Sequence, residues 1–426
     1  MRLTPEQEQF ILAHEHEDVR ETALRFVRGD MPLLLAQIAG RQKAEKKIPQ
    51  WYAKKGIVYP VHLSLEQSSS ELTALYKASL LSGNNEARGD ASLGNERVKS
   101  FFSTYEHNVF VDMTGGMGID FSFMSPYFRK AVYVEKNEDL CRIATHNFDV
   151  LDLINTTVYC SDAEDFLKQT APLDVIYLDP SRRDVSGKKL FRIEDCSPDL
   201  SEIKSLLLEK SDRIMVKYSP MLDISLAVKS LGNVREVHVV SVDNECKELL
   251  FLLSNGKEDT IQEDTIKEVV TEPFFMAVNL KTAGGMEAFP FTMKQEQNAV
   301  ISFAEDPSRY LYEPNASILK AGAFKSVAQT YNLQKLHINS HLYTSDELVM
   351  NFPGRIFEVI SFFTPNKKNI KNFSRETKKA NITVRNFPMT VADIRRKTAL
   401  EEGGDTYLFA TTLFDGRKTW IVCRKV

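Results

Sequence analysis

Val109-Phe110-Val111-Asp112-Met113-Thr114-Gly115-Gly116-Met117-Gly118 is the stretch that decides the fold, because it joins an apolar strand, a terminal acid and a glycine-rich turn. Glycine lets the backbone pass close to a ligand in conformations that a side chain would forbid. The spacing of these glycines differs from the dinucleotide fingerprint GxGxxG, and the stretch lacks the Gly-Lys-Ser/Thr end of a phosphate-binding loop. A tight strand-to-helix connection without any ligand would look the same. The surrounding sequence must decide between the two.

From about residue 108 onward, short apolar strands alternate with helical segments, which is typical of a parallel sheet covered on both faces. The sequence predicts strands at 109–113, 131–135, 156–160, 174–178 and 213–217, and helices near 118–127, 138–149, 162–169, 199–209 and 222–231. Two further strands, 235–242 and 249–254, have a connection too short for a crossover helix and must be antiparallel. We therefore expect an α/β fold with a Rossmann-like, seven-stranded sheet whose last strand is antiparallel.

Length and composition bound the possible functions. The chain has 426 residues, a net charge of -4, 43% hydrophobic and 26% charged residues, which predicts several folded units and no overall polycation. No apolar run is long enough to span a membrane, and the first ten residues do not resemble a secretion signal, so we expect a cytoplasmic protein with no membrane contact. Five scattered cysteines without paired spacing argue against a metal site or a disulfide framework.

Acidic residues follow the second and third predicted strands. Glu135 ends the second strand, 23 residues after Asp112, where a carboxylate can accept hydrogen bonds from both hydroxyls of a ribose. Asp162 follows the third strand and could accept from an adenine amino group. The simpler alternatives are an acid that merely ends a strand at Glu135 and a helix N-cap at Asp162.

The fourth and fifth strands end in residues suited to a substrate. Asp179-Pro180-Ser181-Arg182-Arg183 follows the fourth, and a proline after an acid leaves the acid's carboxylate and carbonyl free to face a cleft. Arg182 and Arg183 suit a phosphate or carboxylate on the substrate, although pairing with Asp184, Glu194 or Asp195 is an equal alternative. Lys217 ends the fifth strand, where we expect either a lining residue of the substrate entrance or a solvated strand end.

The order of these features resembles the successive motifs of class I S-adenosylmethionine-dependent methyltransferases, over about residues 96–255. The resemblance implies a methyltransferase sheet with S-adenosylmethionine as cofactor, and a reacting methyl group that faces Asp179 and Pro180. Asp112 and the glycines would hold the methionine part, Glu135 the ribose and Asp162 the adenine edge. The full set of cofactor residues that it implies is Asp112, Thr114, Gly115, Gly116, Gly118, Glu135, Asp162 and Asp179.

The fourth motif departs from the family pattern. Amino-directed members carry an Asp or Asn, two prolines and an aromatic residue that stacks on the flipped base, whereas Ser181 and Arg182 stand at the last two positions here. The target base, and even an amino target, therefore stay open. Uridine ring-carbon methylases carry Asp-Pro-Pro-Arg there, but no accompanying nucleophile or general base is found in this sequence. A nucleotide-dependent oxidoreductase and a non-catalytic RNA-binding protein with a degenerate cofactor fold are the competing hypotheses.

The segment 361–397 carries ten Lys or Arg residues against Glu376 and Asp393, a local charge of 10 − 2 = +8. Phe373 and Phe387 interleave with the cations, a mixture suited to phosphate neutralisation and stacking on unpaired bases, although a solvated charged face is the alternative. Together with the strands predicted at 406–413 and 419–424, this C-terminal part of the chain resembles the THUMP-like C-terminal domain of a group of bacterial methyltransferases. The resemblance implies capture of RNA, either tRNA or ribosomal RNA.

These features divide the chain into four predicted parts. They are a helical region at 1–95 without a visible catalytic motif, a methyltransferase domain at 96–255, a small α+β unit of ferredoxin-like type at 256–310, and a THUMP-like α+β RNA-binding domain at 311–426. The charged composition of residues 257–264 predicts a linker between the second and third parts.

Overall fold

A computed structural model of the chain describes residues 3–61, 65–82, 108–182, 192–255 and 272–426. These residues form two compact units. The first contains Met1–Val242, Lys247–Thr271 and Thr282–Met286, and the second contains Asp243–Cys246, Glu272–Lys281 and Glu287–Val426. The boundaries predicted near residues 95 and 255 adjoin segments outside the described residues, so the four-part division stays a prediction.

Five helices form the N-terminal part of the first unit. Their bounds are α1 Pro5–His14, α2 Val19–Arg25, α3 Met31–Lys47, α4 Pro49–Ala53 and α5 Glu71–Ser82. A capping box starts α1, because the Thr4 hydroxyl accepts from the Gln7 amide and the Gln7 side chain accepts from the Thr4 amide. The buried residues Ile11, Leu34 and Ile38 join α1 to α3.

Strands and helices alternate through the rest of the first unit. The strands are β1 Val109–Asp112, β2 Lys130–Glu135, β3 Thr156–Cys160, β4 Val175–Leu178, β5 Ser181–Arg182, β6 Cys196–Ser197, β7 Ile214–Tyr218, β8 Val234–Val242 and β9 Glu245–Leu253. The helices are α6 Ile119–Met124, α7 Glu138–Val150, α8 Ala163–Gln169, α9 Leu200–Lys210 and α10 Ile224–Leu231. Each predicted strand and helix lies within a few residues of an observed one.

Seven of these strands lie side by side in the order β3-β2-β1-β4-β7-β9-β8, within a sheet that has nine strands among the described residues, two more than predicted. β1 pairs in parallel with β2 and β4, β2 with β3, and β4 with β7, while β9 is antiparallel to β7. The carboxyl ends of β1, β2 and β4 therefore meet at one edge, on both sides of the point where the chain reverses its strand order. This arrangement confirms the predicted fold class.

The pair β5 and β6 is the element that the sequence analysis missed. Two backbone pairings, Ser181 with Ser197 and Arg182 with Cys196, join these two-residue strands in antiparallel fashion. A strand of two residues is too short to produce a periodic pattern of apolar side chains. The pair begins directly after Pro180.

The second unit is an α+β structure. Its strands are β10 Phe274–Leu280, β11 Met286–Thr292, β12 Tyr310–Pro314, β13 Gln334–Lys335, β14 Tyr343–Ser345, β15 Gly354–Phe363, β16 Asn381–Arg385, β17 Thr406–Thr412 and β18 Lys418–Lys425. Its helices are α11 Met293–Asn298, α12 Ala316–Ala321, α13 Ser326–Thr330, α14 Lys367–Glu376 and α15 Val391–Thr398. The predicted hairpin near the C-terminus is confirmed as the antiparallel pair β17 and β18.

Seven of these strands form a sheet in the order β13-β14-β12-β15-β18-β17-β16. Leu311, Phe357 and Ile421 lie in one buried apolar cluster of this unit, and Leu408 and Trp420 lie in another. No helix in the described segments is long and apolar enough to cross a lipid bilayer. Among the same residues, no group of three or more His, Cys, Asp or Glu side chains is arranged to hold a metal ion.

Candidate functional site

The turn after β1 is tied to the end of β4. The buried Asp112 carboxylate accepts a hydrogen bond from the Thr114 amide at 3.0 Å, and the Thr114 hydroxyl accepts one from the Asp179 amide at 2.6 Å. Burial raises the pKa of Asp112 well above its usual range, which the Thr114 hydrogen bond only partly offsets. Two of the predicted site residues, Asp112 and Asp179, are thus linked through one threonine.

Two of the three glycines in this turn are required by the protein's own aromatic rings. A Cβ atom at Gly115 would lie 2.1 Å from the ring of Tyr133, and one at Gly118 would lie 2.8 Å from the ring of Phe148. Gly118 also has a φ of +79°, which disfavours any other residue. The glycine pattern therefore reflects close packing of the turn on β2 and α7 at these two positions.

Gly116 is different, because a Cβ atom there would make only an ordinary contact, 3.7 Å from the Thr114 carbonyl oxygen, although its φ of +55° is positive as at Gly118. Its amide donates to Glu135 Oε2 at 3.0 Å, and its carbonyl accepts from the Tyr133 hydroxyl at 2.5 Å. Glu135 Oε1 accepts from the Asn137 amide at 2.9 Å. A carboxylate offers about four acceptor positions, so the half-buried Glu135 retains capacity for a ligand's hydroxyl groups. The absence of side chains within 4 Å of a Cβ position at Gly116, beside this carboxylate, fits the nucleoside and methionine parts that the family pattern implies.

Asp162 lies at the exposed N-terminus of α8. Its carboxylate accepts from the Glu164 amide at 2.9 Å, which confirms the N-cap interpretation. Capping uses one of its acceptor positions and leaves others exposed. Contact of Asp162 with an adenine edge stays a prediction.

The residues after β4 hold a half-exposed carboxylate at the edge of the sheet. Asp179 keeps 39% of its side chain exposed, and its Oδ2 lies 2.6 Å from Lys217 Nζ, while Pro180 is buried. Arg182 lies in β5, and Arg183 falls outside the described residues. Substrate contact by these two arginines stays a prediction.

Lys217 is buried at the end of β7, so the solvated strand end considered above is wrong. Its ammonium lies 2.6 Å from Asp179 Oδ2, 3.0 Å from Ser69 Oγ and 3.3 Å from Asp120 Oδ2. Burial disfavours the charged form, yet Asp179, Asp120 and Glu248 outweigh burial and raise the pKa of Lys217 above its usual range. A lysine has three N–H donors, and three protein oxygens match them here.

A second lysine completes what we call the buried charge cluster, made of Lys77, Asp120, Asp179, Lys217 and Glu248. Lys77 Nζ lies 2.6 and 2.8 Å from the two carboxylate oxygens of Glu248 and 3.3 Å from Asp120 Oδ1. Burial raises the pKa of Glu248. Burial acts the same way on Asp120, but Lys77 and Lys217 outweigh it and lower the pKa of Asp120. The cluster therefore contains charges that only their mutual pairing stabilises in the interior.

The sequence analysis missed three members of this cluster and the serine that joins them. Lys77 stands in the apolar helix α5, Asp120 in the apolar helix α6, and Glu248 directly before an apolar run. A single charge inside an otherwise apolar element is rarely left without a partner. That signal could have identified the three residues as a set, but not their distances from one another.

The second unit exposes eight of the ten cations counted between 361 and 397, which we call the basic surface: Lys367, Lys368, Lys371, Arg375, Lys378, Lys379, Arg396 and Lys397. The other two are half-buried. Arg385 pairs with the buried Glu313, and Arg395 donates to the carbonyls of Leu400 and Ala380. The expectation that Phe373 stacks on bases is wrong, because Phe373 is buried in the apolar cluster that contains Trp420. The half-buried Phe387 packs against that cluster, and its stacking on a base stays a prediction.

No curated protein matches the sequence. Two family profiles match the C-terminal part: a ferredoxin-like domain over residues 310–353 and a THUMP domain-like family over residues 354–425. The first lies on the C-terminal side of the segment 256–310 for which a ferredoxin-like unit is predicted.

Solved structures extend the comparison to the whole chain. A candidate methyltransferase from Porphyromonas gingivalis W83 is 30% identical over 100% of both chains, with a TM-score of 0.82. An rRNA methylase from Streptococcus thermophilus is 16% identical over 35% of this chain and 88% of its own, with a TM-score of 0.27. A candidate methyltransferase from Streptococcus mutans in complex with SAH is 15% identical over 35% and 89%, with a TM-score of 0.26.

The last two likenesses are too distant to support an argument about function. The first extends over the entire length of both proteins at a much higher TM-score. The THUMP domain-like match falls on the unit that contains the basic surface. The chain belongs to the family of the Porphyromonas gingivalis protein, the class I S-adenosylmethionine-dependent methyltransferases that carry a THUMP-like C-terminal domain.

Proposed function

We propose that this protein transfers a methyl group from S-adenosylmethionine to a base of a structured RNA, tRNA or ribosomal RNA, at an exocyclic amino nitrogen. The observation that carries the proposal is the junction of three strand ends. Gly116 binds Glu135 after β2, and Thr114 binds Asp179 after β4, with hydrogen bonds of 3.0 and 2.6 Å. Ligands of open α/β sheets bind at such a junction of carboxyl ends.

Several residues of this edge would hold the cofactor. Glu135 would accept hydrogen bonds from the ribose, the turn at Gly116 would lie against the methionine part, and Asp162 would accept from the adenine edge. S-adenosylmethionine supplies an activated methyl group, so the protein mainly has to hold the acceptor atom in line with that group. Asp112, Thr114, Gly115 and Gly118 would support the turn itself.

Asp179 and Pro180 would orient the acceptor. Lys217 occupies Oδ2 of Asp179, and the half-exposed carboxylate retains Oδ1 for a hydrogen bond from the substrate. The carbonyl of Pro180 offers a second acceptor. Two acceptors match the two hydrogens of an exocyclic amino group, which would direct the nitrogen lone pair along a single line. Arg182 and Arg183 follow directly and would contact a phosphate of the substrate.

The basic surface supports RNA as the substrate. Eight exposed cations within about thirty residues attract a polyanion, because each phosphate contact releases condensed counterions. The acids Asp393 and Glu401 lie 3.3 and 3.1 Å from two of these cations, and exposed pairs of this kind stabilise little. Most of the positive charge therefore stays effective towards a partner.

Two other functions compete with this proposal. A non-catalytic RNA-binding protein would keep the basic surface and a degenerate cofactor site, and the missing aromatic residue after Pro180 favours it. A nucleotide-dependent oxidoreductase would use the same layered sheet, but the glycine spacing after β1 and the antiparallel β9 disfavour it.

Methyl incorporation into fractionated, unmodified cellular RNA tests the proposal. The protein is incubated with cofactor labelled in its methyl group, and the RNA is digested and analysed by nucleoside mass spectrometry. We expect label in one methylated nucleoside of a tRNA or ribosomal RNA fraction, and at least about 100-fold less label with the Asp179→Ala variant. Cofactor binding without label in any RNA fraction would favour the non-catalytic alternative and overturn the proposal.

A further inference from the structure

We infer that Lys217 is the positioning residue of Asp179. Ser69 and Lys77 connect the N-terminal helices to the same centre, because they set the position of Lys217. The inference rests on the proposed function only in treating Asp179 as the group that touches the acceptor. The sequence analysis finds no catalytic motif in the N-terminal region, and the family pattern assigns it no role. The contacts of α5 and of the residues before it assign one.

The three hydrogen bonds of Lys217 fix the direction of its ammonium. Asp179, Ser69 and Asp120 come from three different parts of the first unit, and each takes one donor at 2.6 to 3.3 Å. A lysine with a free donor could swing towards solvent on its flexible chain, whereas this one would leave a buried acceptor unsatisfied. Lys217 therefore presents one fixed N–H to Asp179 Oδ2.

Ser69 connects the two lysines of the buried charge cluster. Its hydroxyl donates to Asp120 Oδ2 at 2.8 Å and accepts from Lys217 at 3.0 Å and from Lys77 at 3.3 Å. A hydroxyl has one donor and two acceptor positions, so all of its capacity is used. Ser69 lies just before α5, and Lys77 lies two turns further along that helix. The N-terminal segment thereby sets the position of Lys217.

Asp120 is held from the opposite side. Its Oδ2 also accepts from the Tyr177 hydroxyl at 2.7 Å, and its Oδ1 faces Lys77 at 3.3 Å. Lys77 is in turn fixed by both oxygens of Glu248. Two ammonium groups and three carboxylates thus form one continuous path from β9 and α5 to Asp179. Because the links are charged contacts of 2.6 to 3.3 Å whose two ammonium groups are buried, the path resists rearrangement.

The consequence for the reaction concerns the orientation of Asp179. One carboxylate oxygen is fixed by Lys217 and the backbone amide by Thr114, so the other oxygen points in a defined direction. Without Lys217 the carboxylate can rotate, and a misplacement of about 1 Å in such a group lowers a rate by about 100-fold. Cofactor affinity depends on Glu135 and the glycine turn and should change little.

The experiment compares the wild type with Lys217→Met, Lys217→Arg, Ser69→Ala and Asp179→Asn, with Lys54→Met as the control lysine. Lys54 lies in the same unit in an exposed pair with Asp152. For each variant we would measure cofactor affinity by calorimetry, the single-turnover rate of methyl transfer and the Tm of unfolding. The double variant Lys217→Met/Asp179→Asn completes a mutant cycle in Tm.

We expect Lys217→Met to lower the transfer rate about 100-fold with cofactor Kd changed less than about threefold. Lys217→Arg should restore most of the rate, because it keeps a charged donor, and Ser69→Ala should lower it about tenfold. A merely structural role would lower both affinity and rate through unfolding and would not be rescued by arginine. A Lys217→Met enzyme with the wild-type rate would overturn the inference.

The Tm cycle keeps the two proposals separable. If Lys217 holds Asp179, the Tm losses of the two single variants should add to more than the loss of the double variant. Additive losses would overturn the inference even in an enzyme that transfers methyl groups. If the wild type modifies no acceptor at all, the proposed function fails, and the same cycle still decides whether Lys217 holds Asp179.

Discussion

The buried charge cluster of the first unit and the basic surface of the second both contain lysines, in opposite settings. Lys77 and Lys217 are buried, and every donor of Lys217 meets a protein oxygen, whereas the lysines of α14 are exposed. A buried charge acts through geometry, because each partner fixes the next one. Exposed charges have an effect only when many act together, because solvent and salt weaken each single contact. Substitutions in the buried charge cluster should therefore lower stability or the transfer rate, whereas substitutions in the basic surface should lower the affinity for RNA.

The largest expected effect is the loss of methyl transfer in Asp179→Ala. Removal of the carboxylate takes away a preorganised hydrogen-bond acceptor for the substrate, and losses of such groups lower kcat by about 100- to 1000-fold. Calorimetry should still detect S-adenosylmethionine binding, since Glu135 and the turn remain. Loss of rate and cofactor binding together would mean that Asp179 holds the cofactor or the fold and does not orient the acceptor.

Lys77→Met should be the most destabilising single substitution in the cluster. It leaves the Glu248 carboxylate buried without its main partner, and breaking a buried ion pair from one side costs about 3–5 kcal/mol of unfolding free energy. Denaturant titration measures this change. Lys54→Met, at an exposed pair, should change the unfolding free energy by less than about 0.5 kcal/mol.

A second substitution sharpens this test. Lys77→Met/Glu248→Gln removes both charges, so the double variant should be more stable than Lys77→Met alone. An equal or lower stability of the double variant would mean that Glu248 interacts mainly with something other than Lys77.

The basic surface should tolerate loss of charge without loss of stability. A plot of log RNA affinity against log salt concentration has a negative slope. Replacing the four cations of α14 by alanine should make this slope less steep by about 3, because about 0.7 to 0.9 counterions are released per phosphate contact. The unfolding free energy should change by less than about 0.5 kcal/mol per site. The four are Lys367, Lys368, Lys371 and Arg375.

The matched control removes four exposed cations from the first unit: Lys43, Lys54, Arg142 and Lys168. If RNA affinity depends on the basic surface, this control keeps the wild-type salt slope. An equal decrease in both variants would mean that affinity follows net charge and that the second unit has no special part in binding.

Lys47 is half-buried and so lies between the two settings. Burial, with a smaller contribution from Lys217, lowers the pKa of Lys47 from 10.5 to about 8. Between those values the unfolded chain binds more protons than the folded one, so the contribution of Lys47 to stability rises with pH from about 8 to 10.5. The unfolding free energy of the wild type minus that of Lys47→Met should show this rise. A flat difference would contradict the pKa shift.

The sheet could be predicted almost completely from the sequence, and the buried charge cluster could not. The strands that end at or just before Asp112, Glu135 and Asp179 can be recognised from their apolar runs and from the acids at their ends, which are local patterns. The partners of Lys217 lie 38 to 148 residues away along the chain, at Asp179, Asp120 and Ser69. Such contacts depend on how the helices pack, and no local pattern contains that information. The interpretation of Phe373 as a base-stacking residue failed for the same reason, because alternation with cations does not reveal which side faces the core.

The most direct test of the central claim is a calorimetric titration of the wild type and Glu135→Ala with S-adenosylmethionine and with NAD. The account predicts that S-adenosylmethionine binds at one site per chain, that NAD does not bind, and that Glu135→Ala weakens the cofactor about 10- to 100-fold through loss of charged hydrogen bonds. Binding of NAD in place of S-adenosylmethionine, or unchanged affinity in Glu135→Ala, would contradict the site built at the ends of β1, β2 and β4.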